Sequence, residues 1–446
     1  MTYSFPDGLY TDVRIEHVFS TNITYTFHEL EECREKRYSA AFLRVYDGSR
    51  WYYGSTSDIG NIQSEIDALS RLAKPNNDLY ESELYKRFSA HKDEVLVYTG
   101  SEISNVPLDE KIALLQQTMP YLENNEYIKL WNVRYIDEYK LKEFYSSKGA
   151  ALKFDVQRCG FSCGFQMADG DKRFREGFQK GSDRFSELSN YEEEFKDKVR
   201  ECQEYMKNSQ PVEQGKYTVL LAPLVTGIFA HECFGHKSEA DFMVGDEETR
   251  KEWALGKPLG NEELTIIDTG TLRNMGYTPY DDEGNKATVT CLIRNGVLAG
   301  RLHNSVSADY LGESVTGNGR SISYEYEPIV RMTNTYIEKG SKTVEELISE
   351  IDNGILIKNI LHGSGMSTFT LAPTLAYYIK DGKIDAPVRI SVVSGNVFET
   401  LSDIDGISDT ISYTAFVTGG CGKMEQYPLA VGCGGPYIRV RNMNVQ

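Results

Sequence analysis

The spacing of apolar positions divides this chain into two textures. In the first half, short alternating runs are interleaved with stretches of helical period. Val13, Ile15 and Val18 mark weak strand material within residues 1 to about 30. Ala40 to Val45 and Arg50 to Gly54, joined through Asp47-Gly48, read as a hairpin. Ile62, Ile66, Leu69 and Leu72 recur at helical spacing within Ile59 to Leu72. Val106 to Leu122 repeats the pattern, with Pro107 at its start. Ile128 to Arg134 alternates like a strand. Ala150 to Gln166 is strand-rich and puts Cys159, Phe161, Cys163 and Phe165 on one face, where the two thiols read as small buried apolar groups rather than a redox pair. Phe185 to Met206 reads as a charged amphipathic helix, and Asn208 to Gly215, with Pro211, as an interdomain linker.

The second half is dominated by strands. Tyr217 to Leu221, Leu264 to Asp268, Ala287 to Arg294, Ile329 to Tyr336, Thr370 to Lys380, Val388 to Val393 and Tyr437 to Arg441 carry the pattern. Asn295-Gly296 and Asp381-Gly382 punctuate hairpins, and one helix, about Thr343 to Asn353, interrupts the series. The expectation is an α+β protein: an N-terminal α/β domain over residues 1–210, then a mostly β domain, a curved sheet or barrel, over 211–446.

Composition narrows the function. A net charge of −18 over 446 residues excludes the basic footprint of a nucleic-acid binder. No run of about 18 apolar residues is present, so no membrane-spanning helix is expected. The opening Met1 to Gly8 lacks a basic region and an apolar core, so it does not read as a signal peptide. Eight cysteines without a framework pattern fit a reducing compartment, and the expected location is cytoplasmic.

The sharpest chemistry lies in Ile228-Phe229-Ala230-His231-Glu232-Cys233-Phe234-Gly235-His236, which follows a strand and Pro223. Its apolar residues surround two histidines and a glutamate, which are costly in a buried helix unless something satisfies them. A metal ion would do so; backbone partners for two core histidines are the plainer alternative. On an ideal α-helix, residues five apart diverge by about 140°. For His231 and His236 to share one ion, the helix must bulge in an i→i+5 manner or end near Gly235. Glu232 would then stand as general base toward a metal-bound water.

Four stretches carry a resemblance: Leu224 to Asp241, Asp281-Asp282-Glu283-Gly284, Thr316 to Arg320, and Gly420-Cys421-Gly422-Lys423 with Gln426 and Pro428. Taken together, the chain resembles the TldD/PmbA family of zinc metallopeptidases, in its histidine-bearing TldD branch. The resemblance implies Zn²⁺ held by His231, His236 and Cys421, with Glu232 catalytic. Cys433 is the rival third ligand, and Cys233 a more remote one. The resemblance also implies a dimer, either of this chain with itself or with a PmbA-like subunit.

Other candidates are less specific. Glu239 and Asp241 read either as groups orienting the imidazoles or as part of an acidic loop. His303, Asn318 and Arg320 are candidate substrate contacts, with a structural histidine and a plain hairpin turn as alternatives. Gly422-Lys423 lacks the upstream glycine of a phosphate-binding loop, and Gly363-Ser364-Gly365 lacks a dinucleotide fingerprint's third glycine. The expected function is zinc-dependent hydrolysis of peptide bonds in short or unfolded peptides. The alternative is a non-hydrolytic zinc-stabilised scaffold or peptide-binding subunit, which would need a fourth protein ligand to close the site.

Overall fold

The weak strand material near the N-terminus is one long strand in a computed structural model that describes residues 3–365 and 367–446; Met1 and Thr2 of the opening stretch lie outside them. β1 (Tyr10–Thr26), β2 (Glu29–Tyr46), β3 (Trp51–Thr56), β4 (Lys92–Val95), β5 (Ile128–Ser146), β6 (Ala151–Asp169) and β7 (Lys172–Ser182) form a seven-stranded sheet. Its order is β3-β2-β1-β5-β6-β4, with β7 also paired to β6. Strict alternation gives this sheet two different faces. Val13, Ile15, Ala41 and Leu43 pack under α1 (Ile62–Ser70), and Val133, Phe161, Cys163 and Phe165 under α2 (Leu108–Glu123) and α3 (Glu192–Asn208). The alternate positions Asp12, Arg14, Glu16 and Arg44 are also buried, because the C-terminal half covers them. Arg44 pairs with Asp12 and Glu283 at 2.7 Å each, and Lys142 with Asp282 at 2.5 Å.

The C-terminal half holds a closed barrel of five strands. β8 (Gly215–Leu221) runs parallel to β9 (Asn353–Gly365), which pairs antiparallel with β10 (Thr368–Lys380). β10 pairs with β11 (Val393–Asn396), β11 with β12 (Ile438–Val445), and β12 returns to β8. Beside it lies a six-stranded sheet whose inner strands include Asn334–Ile337 and Gly432–Gly435. The helix after β8, α4 (Pro223–Ala230), is wedged between β9 and that sheet. Pro223 at the first helical turn costs it no hydrogen bond.

Several elements depart from the sequence expectation. The run Val388 to Val393 divides, because the N–H groups of Ser391 and Val392 donate to the terminal Gln446 carbonyl instead of a neighbouring strand. Ile329 to Tyr336 is interrupted where Arg331 N–H donates to Asn318 O and Thr333 N–H to the Asp268 carboxylate. The helix expected to reach Asn353 stops at Ser349, and the 13-residue β9 follows. Gln210–Pro211, within the expected linker, pairs with Val388 and Arg389.

The glycine-rich Gly432–Gly435 is an inner strand because α4 needs it thin. A Cβ on Gly227 would lie 2.6 Å from Gly434 N and 3.0 Å from Cys433 Sγ. Gly227→Ala gains at most about 1 kcal/mol of helix propensity. Overpacking against backbone costs about 1–3 kcal/mol, so the clash wins. The expected result is a lower unfolding midpoint by urea titration with an unchanged m-value; a midpoint at or above wild type would show that helix and sheet separate freely.

Candidate metal centre

α4 does not continue as an α-helix through the motif. His231–Gly235 forms one π-helical turn, closed by the His236 N–H donating to the His231 carbonyl, and a 3₁₀ turn His236–Ser238 follows. The i→i+5 hydrogen bond brings His231 and His236 one above the other. Their ring centroids are 5.1 Å apart at 82°. Gly235 lets Met332 pack against the turn: a Cβ there would lie 1.8 Å from Met332 Sδ.

Cys421 reaches the same point from 185 residues away. It opens a short hairpin, Cys421–Lys423 against Gln426–Leu429, and follows Gly419 and Gly420, whose φ values of 125° and 157° suit glycine. Arg331 holds the hairpin by donating to Cys421 O at 2.7 Å. The ligand atoms of His231, His236 and Cys421 all lie within 4.8 Å of one another, and no fourth His, Cys, Asp or Glu joins them among the described residues. Cys421 Sγ is 3.6 Å from His236 Nε2. Bond lengths of about 2.1 Å to nitrogen and 2.3 Å to sulfur around a tetrahedral zinc place such atoms roughly 3.6 Å apart. His231 Nδ1 is buried without a hydrogen-bond partner among the described residues, the other mark of a group awaiting a ligand. The residues present therefore fit a mononuclear zinc ion.

Charges alternate outward from this group. Burial opposes ionisation of the Cys421 thiol, but the imidazoles of His231 and His236 outweigh it and hold its pKa down to about 5. Burial likewise opposes the His236 imidazolium, and Cys421 with Glu239 raises it to about 10. Fully buried Glu239 approaches His236 Nδ1 at 3.2 Å and Lys423 Nζ at 3.1 Å. Lys423 also donates to Asp241 at 2.6 Å and to Val330 O at 2.8 Å. Glu239 and Asp241 are thus members of one buried network rather than an acidic loop. Lys423 and Arg331 were invisible to sequence reasoning as parts of the site; only Lys423's place in the Gly420–Lys423 stretch hinted at it.

Glu232 is half-buried and makes no side-chain hydrogen bond or ion pair among the described residues. The rival thiols do not join the cluster. Cys433 is buried under Gly227, and burial followed by Glu232 raises its pKa. Cys233 is buried, and its pKa is likewise raised by burial and then Glu232. His303, Asn318 and Arg320 also lie outside it. His303 contacts Ser307 Oγ and Glu313. Asn318 donates to Asp268 and Arg331 O, and Arg320 to the carbonyls of Met332 and Ala430. In the Thr316 to Arg320 loop, Gly319 N–H donates to Asp281.

A broken helix that gathers two imidazoles and a thiolate beside a five-stranded barrel defines a candidate metalloprotein site on an α+β fold. The chain matches the PmbA/TldA metallopeptidase C-terminal domain over residues 214–446, domain 1 over 11–74 and the central domain over 101–208. It belongs to the PmbA/TldD metallopeptidase family. A Synechocystis protein named a metalloprotease is 32% identical over 445 residues, covering 98% of this chain and 94% of the relative. A Saccharolobus solfataricus protein named a zinc metalloprotease TldD homolog is 28% identical over 98% of this chain and 96% of its own. The crystal structure of TldE from Thermococcus kodakarensis shares the fold, with a TM-score of 0.76 at 15% identity over 98% of this chain and 96% of that one. No described helix is long and apolar enough to cross a membrane.

Proposed function

We propose that this chain is a zinc-dependent peptidase, with zinc held by His231, His236 and Cys421. The observation that carries the reading is the π turn, which spends a distorted helix on bringing two buried imidazoles to one thiolate. Bound there, zinc would supply a Lewis acid that polarises a peptide carbonyl and lowers the pKa of water towards ~7. Glu239 orients the His236 ring and fixes which nitrogen faces Cys421. Glu232, unpaired and next in sequence to His231, takes the proton of the attacking water and returns it to the departing amine. Three protein ligands leave a coordination position open, which supports catalysis over a closed scaffold.

Short or unfolded peptides are the proposed substrates, bound as an added strand whose main chain supplies most of the affinity. The proposed working unit is a dimer, with a second copy or with a PmbA-like subunit, in the reducing cytoplasm where eight free thiols persist. The division of labour is an N-terminal domain to about residue 210 and a catalytic domain beyond it. Mass spectrometry of the zinc-loaded protein incubated with a mixed peptide library and with a stably folded protein tests the reading. Cleavage of many peptides and sparing of the folded protein is expected; efficient cutting of the folded protein overturns the substrate, and no cutting of any peptide by any purified assembly overturns the activity.

Glu239→Gln is expected to weaken zinc affinity by about 10–100-fold, because the ring loses its charged orienting partner. Competition with a chromogenic chelator measures this, and unchanged affinity would remove Glu239 from the site.

A further inference from the structure

A cleft runs between the polar face of the N-terminal sheet and the C-terminal half, and its walls carry Lys140, Lys142, Arg158 and Arg320. Four cations on one cleft are notable in a chain of net charge −18. Their counter-charges are shared rather than matched. Glu138 serves both Arg158 at 2.7 Å and Lys140 at 3.4 Å. Asp282 serves Lys142 at 2.5 Å and Arg14 at 3.5 Å. Arg320 has no carboxylate partner among the described residues and donates only to the carbonyls of Met332 and Ala430. Asp281, the remaining acid on the wall, is capped by the N–H groups of Glu283, Asn285 and Gly319. Burial, then Glu283, raises its pKa, against the pull of those three N–H groups. Four cations against the three carboxylates that line it leave the cleft an excess of positive charge, and burial lowers the pKa of Arg320 to about 10 although Asp282 pulls the other way. A buried guanidinium whose donors reach only carbonyls is costly, and an incoming carboxylate would pair with it directly through its forked donors.

The position matters as much as the charge. Pro428 and Leu429 line this cleft, and Leu429 pairs with Cys421 across the hairpin. One short hairpin thus borders both the candidate metal centre and the cleft. Gln157, Arg158 and Met275 line both this cleft and a second hollow bordered by Asp183, Arg273 and Tyr413.

We infer that this cleft binds a carboxylate of the substrate, either a peptide's C-terminal carboxylate or an acidic side chain, with Arg158, Lys140 and Arg320 as its cations. The inference rests on the peptidase reading for its substrate class. Fluorescence anisotropy with the zinc-loaded full chain tests it, using three labelled peptides of one neutral sequence. The first has a free C-terminus, the second a C-terminal amide, and the third an amide with one glutamate inserted. The free acid or the glutamate peptide is expected to bind about tenfold or more tighter than the neutral amide, and whichever does so identifies the source of the carboxylate. Arg158→Gln should abolish that advantage and leave the neutral amide unchanged. Arg158, partly exposed, is chosen because replacing buried Arg320 risks the fold. Three peptides binding alike or not at all, or a variant that weakens all three equally, would overturn the cleft assignment. Hydrolysis read on the same samples separates the two readings. Charge discrimination without cleavage, in this chain and in its purified assemblies alike, keeps the cleft and removes the peptidase; equal kcat/KM for all three keeps the peptidase and removes the cleft.

Discussion

Glu232→Gln will keep zinc at wild-type stoichiometry and lose peptide hydrolysis by roughly 10²–10⁴-fold, the usual worth of a positioned general base. The substitution exchanges one oxygen for an amide nitrogen of the same size. Glu232 is half-buried and has no hydrogen-bond or ion-pair partner among the described residues, so the fold loses no contact. The cluster of His231, His236 and Cys421 is untouched. The loss should therefore fall on kcat, with little change in the unfolding midpoint, as expected when only an interaction made in the transition state is removed. Elemental analysis and a peptide-cleavage assay on the same preparation decide it. Full turnover with zinc retained would dismiss Glu232 as the base.

Cys421→Ala will bind zinc far more weakly, whereas Cys433→Ala will not. Removing an orienting partner of a ligand costs about 10–100-fold in metal affinity, so losing one of three direct ligands should exceed 100-fold. The structure separates the two thiols clearly. Cys421 sits 3.6 Å from His236 Nε2 with its pKa held near 5, already matched to a cation, although burial works against it. Cys433 lies beneath Gly227 and keeps its proton because it is buried. Zinc content after dialysis against a chelator reads both variants. A Cys421→Ala protein that stays fully loaded, or a Cys433→Ala protein that empties, would reverse the assignment.

Much of the fold is legible in the sequence. The hairpin at Asp47-Gly48, the helices α1 and α2 and the strand–proline–helix entry to the motif all appear where local pattern places them, because each buries one stripe or one face; α3 begins only at Glu192, since Phe185–Leu188 forms a separate 3₁₀ turn. The one-sided burial of Cys159, Phe161, Cys163 and Phe165 on β6 follows from the strand period alone. Where pattern failed, a distant partner had taken over the backbone. Val388 to Val393 is split by the C-terminal carbonyl, and Arg331 to Thr333 by Asn318 and Asp268. β9 escapes the sequence pattern although it belongs to the barrel, since its pairing with β8 joins residues more than a hundred positions apart.

For the candidate site, the HExxxH spacing by itself required a break in helical geometry. The arithmetic of 3.6 residues per turn forbids two residues five apart from facing one point in a regular α-helix, and the structure supplies the π turn. The third member was suggested only by likeness to a family. No periodicity links Cys421 to a helix 185 residues earlier; the hairpin held by Arg331 does that. The surrounding charges were beyond reach for the same reason. Whether Glu239 is an idle surface acid or a buried partner of His236 and Lys423 depends on which segments fold over it, and neither composition nor spacing encodes that. Local sequence determined which segments could become strand or helix and where regular helix had to fail. Tertiary packing alone decided that Gly432–Gly435 is an inner strand, that Lys423 neutralises Glu239, and that Asp12, Arg14, Glu16 and Arg44 on the polar face of the N-terminal sheet are covered, because each depends on bringing together residues far apart in the chain.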